Sequence, residues 1–278
     1  MNFDSLLTSR SPRSAATPSQ LVEALGDSEL ISPHELTMAE YSSAAYKDDV
    51  PETRALFDAD SVQYISNPAS GADLYIGKRV GNQCFIAFRG TKGVKDILTD
   101  ANAIRVKMDL DNVADSGRPS VHWGFLKQFR SIETHLASFT GDTSTIHITG
   151  HSLGGALATL CAMSLSHRYP GTFITLTTFG SPRVGCDDFA QQFKARDNIR
   201  ARRYARPRDT VTTIPTSWRF KHVGTPIWMH NEGPSLSPKV GRFKRFFRAL
   251  WRTITKLSVT DEHGMGVYKD YLKNNCSY

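Results

Sequence analysis

Cysteine is scarce in this sequence, with four residues among 278, namely Cys84, Cys161, Cys186 and Cys276. None of them belongs to a Cys-x-x-Cys pair and no cluster of histidines accompanies them, so we expect no zinc site. Cys84 and Cys161 lie in apolar runs, as small core residues do. A disulfide scaffold is not expected for a domain of this size.

The sequence also lacks long hydrophobic runs. Residues 1–20 are rich in Ser, Thr, Pro and Arg and contain no apolar segment of the kind that a signal peptide needs. We expect residues 1–20 to be disordered and residues 21–278 to form a single domain. Because no run is long enough to span a bilayer, we expect either a cytoplasmic protein with peripheral membrane association or export by a leaderless route.

Acidic residues are absent from one basic stretch, which accounts for the formal net charge of +7. This stretch carries Lys239, Arg242, Lys244, Arg245, Arg248, Arg252 and Lys256. Apolar residues repeat through it at helical spacing, at Phe243, Phe247, Leu250, Ile254 and Leu257. The pattern predicts a basic amphipathic helix over residues 239–257 that lies on an anionic membrane surface. The alternative is a helix packed on the protein body with a solvated basic face. The large apolar residues argue against a nucleic-acid-binding role.

A Gly-x-Ser-x-Gly pattern is the most informative part of the chain. Residues 145–149 are β-branched apart from His147 and predict a buried strand, and residues 156–165 are small or apolar helix formers. Strand, tight turn and helix form the context of a nucleophile elbow, in which Gly150 and Gly154 leave room around Ser152. The N–H of Leu153 then lies at a helix N-terminus, where it can stabilise an oxyanion.

The remaining pattern alternates between strands and helices. We predict strands at residues 73–77, 83–89, 173–179, 199–206 and 222–229, with a hairpin turn at Gly81 and Asn82. We predict helices at residues 19–30, 33–46, 94–103, 126–139, 187–194 and 264–274. This alternation predicts an α/β fold with a mostly parallel central sheet flanked by helices.

An elbow serine requires an acid and a base, which follow it in the order acid then histidine. Asp209 is the best acid because it follows a predicted strand, where active sites of open α/β sheets gather. His263 is the best base because it precedes the last predicted helix on a loop that can reach the active face. His222 and His230, at the ends of an apolar run, are the alternatives.

Six short motifs occur in the order seen in class 3 lipases. They are residues 88–91 (Phe-Arg-Gly-Thr), 122–125 (His-Trp-Gly-Phe), 150–155 (Gly-His-Ser-Leu-Gly-Gly), 179–185 (Phe-Gly-Ser-Pro-Arg-Val-Gly), 208–211 (Arg-Asp-Thr-Val) and His263 with Tyr268. Over about residues 35–275 the chain therefore resembles this family, and the resemblance implies an α/β-hydrolase fold.

The resemblance also implies roles for individual residues. Ser152 corresponds to the family's nucleophile, Asp209 to its acid and His263 to its base. The backbone N–H groups of Thr91 and Leu153 correspond to its oxyanion hole, and Asp100 corresponds to an acid that orients the oxyanion Thr hydroxyl. Residues 92–103 correspond to the lid, with Ile97 where family lids often carry a Trp.

The implied chemistry is hydrolysis of a carboxylic ester through an acyl-enzyme, with no metal or other cofactor. The implied substrate is a lipid ester, such as a triacylglycerol or a phospholipid. Two alternatives remain: an esterase for non-lipid esters such as feruloyl esters, and a catalytically silent lipid-binding protein on the same fold.

Overall fold

The computed structural model describes residues 30–91, 104–111, 113–114, 117–215, 218–237 and 262–276. Several predicted features lie outside these ranges: the N-terminal segment 1–20, the helix at 19–30 except its last residue, the lid at 92–103 with Asp100, and the basic segment 239–257.

Within the described ranges the elements follow one another from α1 to α7 and from β1 to β10. The helices are α1 (Pro33–Ala44), α2 (Pro51–Arg54), α3 (Trp123–Glu133), α4 (Ala137–Thr140), α5 (Leu153–Arg168), α6 (Asp187–Lys194) and α7 (Met265–Asn275). The strands are β1 (Ser61–Asn67), β2 (Ala72–Arg79), β3 (Gln83–Phe88), β4 (Arg105–Lys107), β5 (Ser120–His122), β6 (Thr145–His151), β7 (Phe173–Phe179), β8 (Ile199–Ala205), β9 (Thr225–His230) and β10 (Gly233–Ser235).

Eight of these described strands form one sheet in the order β1-β2-β3-β6-β7-β8-β9-β10. Strands β3, β6, β7, β8 and β9 run parallel to one another. Strands β2 and β10 pair antiparallel with β3 and β9, and β1 pairs antiparallel with β2. The small pair β4 and β5 forms a second sheet. The predicted mostly parallel sheet with flanking helices is confirmed.

Helices cover both faces of the sheet, which explains the continuous apolar runs of its central strands. Along β3, Ile86 belongs to the core formed with α3 and α5, whereas its neighbour Phe85 belongs to the core formed with α1 and α7. Because successive side chains of a strand point to opposite faces, a strand between two cores buries side chains on both faces and favours apolar residues along its whole length. The parallel strands consequently end at one shared edge, here called the catalytic edge, where β6 meets α5.

Strand β8 was predicted from a sequence rich in arginine, and it is a strand at Ile199–Ala205. Its charged side chains are accommodated by specific partners. Arg202 forms a buried ion pair with Glu35 of α1, with a 2.8 Å N–O distance. The guanidinium of Arg203 lies 5.7 Å from the ring centre of Trp228 on β9.

Two predicted elements differ in the structure. The helix predicted over residues 126–139 is two helices, α3 and α4, with α3 ending at Glu133. The strand predicted over residues 222–229 begins only at Thr225, because Gly224 adopts a φ of +78° in the preceding turn. The edge strand β1 is an element that the sequence pattern did not predict.

Candidate active site

Ser152 occupies a strained turn between β6 and α5. Its φ of 58° and ψ of −126° lie in a region that non-glycine residues rarely adopt. A Cβ on Gly150 would lie 2.3 Å from the Gly154 carbonyl oxygen, and a Cβ on Gly154 would lie 2.5 Å from the Phe88 carbonyl oxygen. Both positions therefore require glycine, and the predicted strand–turn–helix context of Ser152 is confirmed.

Asp209 and His263 come together at the catalytic edge although 54 positions separate them in sequence. His263 Nδ1 donates to Asp209 Oδ2 over 2.8 Å, and both side chains are buried. The other carboxylate oxygen accepts the N–H of Val211 over 2.9 Å. This arrangement fixes the imidazole with its proton on Nδ1, so that Nε2 can act as a base.

The hydroxyl of Tyr268 on α7 completes the surroundings of Asp209. It donates to Asp209 Oδ2 over 2.6 Å and accepts the backbone N–H of Arg206 over 3.2 Å. Burial, together with the nearby Asp209 charge, raises the pKa of Tyr268 well above its usual range, so the hydroxyl remains a donor. Tyr268 thus joins the acid, its strand end and the last helix.

An ion pair links the chain segments that carry the acid and the base. Glu262, which precedes His263, accepts from Arg206 Nε over 3.1 Å, and a second Arg206 nitrogen lies 3.0 Å away. Arg208, which precedes Asp209, lies 3.6 Å from the other Glu262 oxygen. The two segments are therefore held beside each other by charge as well as by the Asp209–His263 hydrogen bond.

Two polar atoms at the site have no hydrogen-bond partner among the described residues: Ser152 Oγ and His263 Nε2. Both atoms are buried, and burial of an unpaired polar atom costs roughly 1–3 kcal/mol. One is a donor and the other is the acceptor that a proton transfer from serine needs.

The side chain of His151, the residue before Ser152, contacts the main chain of His263. Its Nε2 lies 2.6 Å from the His263 carbonyl oxygen and its Nδ1 lies 2.7 Å from the Tyr46 hydroxyl. Because the carbonyl can only accept, Nε2 must carry the proton, and Tyr46 therefore donates to Nδ1. Burial, and next the neighbouring His263, lower the pKa of His151 well below its usual range, so this ring stays neutral.

The two predicted oxyanion residues follow the adjacent strands β3 and β6. Leu153 is the first residue of α5, so its N–H is one of the four that a helix leaves without an internal partner. Thr91 lies three residues after β3, and the preceding Gly90 approaches the His151 carbonyl so closely that a Cβ would lie 2.6 Å from it. The chain leading to Thr91 is thus packed against the elbow, whereas Asp100 lies outside the described residues.

The alternative histidines are engaged elsewhere. His222 Nε2 donates to the Thr212 carbonyl over 2.8 Å, and His230 Nε2 donates to the Ser237 carbonyl over 3.3 Å. Of the three candidates for the base, His263 is the one whose ring hydrogen-bonds to Asp209.

Sequence reasoning did not find the supporting residues Tyr46, His151, Arg206 and Glu262. One available signal was the alternation of His147, Thr149 and His151 along an otherwise apolar strand. These three side chains face α1 and the chain just after it. The His147 ring lies 5.0 Å from that of His34, and Thr149 Oγ1 lies 2.7 Å from Ser42 Oγ. Within the described ranges, no three His, Cys, Asp or Glu side chains gather as metal ligands would.

Comparisons with known proteins find similarity to lipases and to a phospholipase. Residues 85–218 match the family described as lipase (class 3). A lipase of Rhizomucor miehei is 31% identical over 160 residues, which are 54% of this chain and 42% of that protein. Phospholipase A1-II 3 of Oryza sativa subsp. japonica is 30% identical over 211 residues, which are 64% of this chain and 49% of that protein. The chain thus spans about half the length of these curated relatives.

Solved structures agree with the fold. Lipase II from Rhizopus niveus superposes with a TM-score of 0.57 at 25% identity, covering 70% of this chain and 79% of that one. The Rhizomucor miehei triacylglyceride lipase gives a TM-score of 0.60 at 24% identity, covering 72% and 80%. With its strained elbow serine and its buried Asp–His pair on this fold, the chain is similar to the class 3 lipases over residues 85–218.

Proposed function

We propose that this protein hydrolyses carboxylic esters of lipids, with Ser152 as nucleophile, His263 as base and Asp209 as the acid that orients the base. The observation that carries the proposal is a pair of buried atoms, Ser152 Oγ and His263 Nε2, one a donor and one an acceptor, neither of which has a partner in the described part of the chain. The lipases and the phospholipase to which the chain is similar support a lipid ester as substrate.

The first half of the reaction forms an acyl-enzyme. His263 Nε2 takes the proton of Ser152 Oγ as that oxygen attacks the ester carbonyl carbon. Asp209 holds the Nδ1–H tautomer and stabilises the resulting imidazolium. The N–H groups of Leu153 and Thr91 stabilise the oxyanion, each contributing about 3–4 kcal/mol by comparison with related acyl transfer.

The tetrahedral intermediate then collapses. His263 returns its proton to the leaving alkoxide, and the alcohol departs. Water attacks the acyl-enzyme by the same route, with His263 Nε2 as its base, and releases the carboxylic acid. All of these steps use side chains and backbone donors of the chain itself.

Replacement of Ser152 by Ala tests the catalytic part. Turnover of a soluble p-nitrophenyl ester should fall by about 10⁴-fold or more, while the midpoint of unfolding stays that of the wild-type protein. A fluorophosphonate should label the wild-type protein at Ser152 and leave the Ala variant unlabelled. Wild-type turnover in the variant would refute the assignment, and absence of turnover and labelling in the wild-type protein would favour a catalytically silent lipid-binding protein.

A substrate panel tests the lipid part. Triacylglycerol, phospholipid and feruloyl esters offered at equal concentration separate the three substrate classes. Preference for the feruloyl ester would contradict a lipid substrate while leaving the Ser152 mechanism intact.

We further propose that residues 239–257 bind anionic membrane as a basic amphipathic helix. The support is the sequence pattern, seven basic residues flanking one apolar stripe. Substitution of Arg245, Arg248 and Arg252 by Glu should weaken binding to anionic vesicles and leave turnover of a soluble ester unchanged. Unchanged vesicle binding, or joint loss of folding and turnover, would assign the segment a structural role.

A further inference from the structure

Two tryptophan side chains are exposed at the catalytic edge. Trp123, the first residue of α3, is 45% exposed, and Trp218 is 71% exposed. Large aromatic side chains contribute strongly to stability when buried, and tryptophan is highly buried on average. Two exposed indoles on one edge therefore point to a contact outside the folded chain.

Both indoles belong to one region of the surface. His122, next to Trp123, packs its ring 5.6 Å from that of Phe220, which lies two residues after Trp218. The His122 N–H donates to the Val184 carbonyl over 2.9 Å, and the Lys221 N–H donates to the Gly185 carbonyl over 2.7 Å. Both segments are thus fastened to the loop that follows β7.

That loop leaves the carboxyl end of β7, and the Phe179 carbonyl there accepts the Ser152 N–H over 3.0 Å. The indoles consequently lie on the edge of the sheet that carries Ser152. The apolar surface extends to Ile104, which is 55% exposed and whose carbonyl accepts the Trp123 N–H over 2.9 Å.

Each indole carries a basic side chain on its ring. Lys127 Nζ lies 5.1 Å from the ring centre of Trp123, and the Arg219 guanidinium lies 4.5 Å from that of Trp218. Indoles with neighbouring Lys or Arg are characteristic of the lipid–water interface, where the ring lies among the headgroups and the cation reaches the phosphates.

The size of this surface favours lipid over protein as its occupant. One partner of a stable protein complex buries about 800 Å². Two partly exposed indoles, each about 150–250 Å² when fully buried, and one isoleucine present only part of that area. A lipid surface needs no such area, because single aromatic rings can insert between headgroups.

We propose that Trp123 and Trp218, with Lys127 and Arg219 on their rings, form a headgroup-contact surface that seats the catalytic edge on phospholipid. The proposal rests on the proposed function, because a lipid ester must be reached from an interface. It concerns residues other than the basic segment 239–257.

The test is binding of the full-length chain to vesicles of phosphatidylcholine, with and without phosphatidylglycerol, measured by co-sedimentation. The double variant Trp123→Ala/Trp218→Ala should bind both kinds of vesicle about tenfold more weakly. Turnover of a soluble p-nitrophenyl ester should stay within about twofold of wild type, because the contacts described for the two rings are with Lys127 and Arg219 and not with Ser152, Asp209 or His263. Val80→Ala is the matched control, since Val80 is 80% exposed on the hairpin at the opposite edge of the sheet.

A second variant covers the case in which the double Ala variant does not fold. Lys127→Glu/Arg219→Glu keeps both indoles and should weaken binding mainly to the vesicles that contain phosphatidylglycerol. A Trp251→Phe background then keeps Trp123, Trp218 and the buried Trp228 as reporters. Brominated phosphatidylcholine should quench the fluorescence of the exposed Trp123 and Trp218 in this background.

The proposal is overturned if the double Ala variant binds like wild type, if brominated lipid does not quench, or if only the Arg245, Arg248 and Arg252 substitutions weaken binding. These results are distinct from failure of the proposed function. A wild-type protein that binds vesicles through the indoles but hydrolyses no ester retains the surface and loses the function.

Discussion

Replacement of Tyr268 by Phe should show how much the hydrogen bonds of the Tyr268 hydroxyl contribute, separately from the packing of its ring. The change removes one oxygen from a fully buried ring and leaves the packing of that ring intact. Asp209 Oδ2 then keeps His263 Nδ1 as its donor, and the Arg206 N–H loses its bond to the hydroxyl.

The magnitude follows from those two hydrogen bonds. A hydrogen bond to a charged group contributes about 1.5–3 kcal/mol, and a buried N–H without a partner costs about 1–3 kcal/mol. We therefore expect the free energy of unfolding to fall by about 2.5–6 kcal/mol. If about 1.4 kcal/mol of this loss reaches the transition state through a loosened Asp209, kcat falls about tenfold with KM nearly unchanged.

Tyr271 on the same helix provides a matched control, because its hydroxyl has no hydrogen-bond partner among the described residues. Tyr271→Phe removes a buried hydroxyl without a partner, so it should keep or raise the free energy of unfolding and leave kcat unchanged. The measurements are urea unfolding followed by fluorescence, and kcat and KM on a soluble ester. The reasoning is refuted if Tyr268→Phe matches Tyr271→Phe in both, and a stability loss with unchanged kcat would give Tyr268 a structural role only.

Two further predictions concern other parts of the fold. Gly180→Ala should abolish ester hydrolysis, because Gly180 has a φ of +56° and a Cβ there would lie 2.8 Å from Asp209 Oδ2. Gly171→Ala is the control, because a Cβ at Gly171 meets no described atom within 4 Å. Retained activity in the Gly180→Ala variant would contradict this geometry. Burial, with smaller effects of His34 and Arg79, lowers the pKa of His147 from its usual 6.5 to about 3. The unfolded chain therefore binds more protons than the folded chain between pH 3 and pH 6.5. The free energy of unfolding that is present above about pH 6.5 should fall as the pH falls towards 3. His147→Gln should flatten this pH dependence, measured by urea unfolding across the same range.

The parts of the fold that the sequence could predict are those where one local pattern decides the structure. Residues 145, 146, 148 and 149 are β-branched because β6 lies between two cores, and the glycines around Ser152 are required by the turn. Helix α6 has its predicted bounds because Phe189 and Phe193 lie one turn apart on one face and both are buried.

Elements decided by distant partners could not be predicted in the same way. Nothing within β8 indicates that Arg202 will be neutralised by Glu35, which lies 167 positions earlier. The contact of His151 with Tyr46 is equally remote, at 105 positions. Such pairs require the tertiary fold before either residue can be assigned a role.

In the proposed mechanism, the arrangement around His263 explains how the strained Ser152 serves as a nucleophile. The backbone of Ser152 costs about 1–3 kcal/mol, which surrounding contacts must offset. The main chain of His263 is held by His151, and its ring is held by Asp209, so its Nε2 is the one ring atom left to react. A donor and an acceptor that are both fixed before substrate arrives need little reorganisation during proton transfer. The strained backbone of Ser152 contributes to this preorganisation.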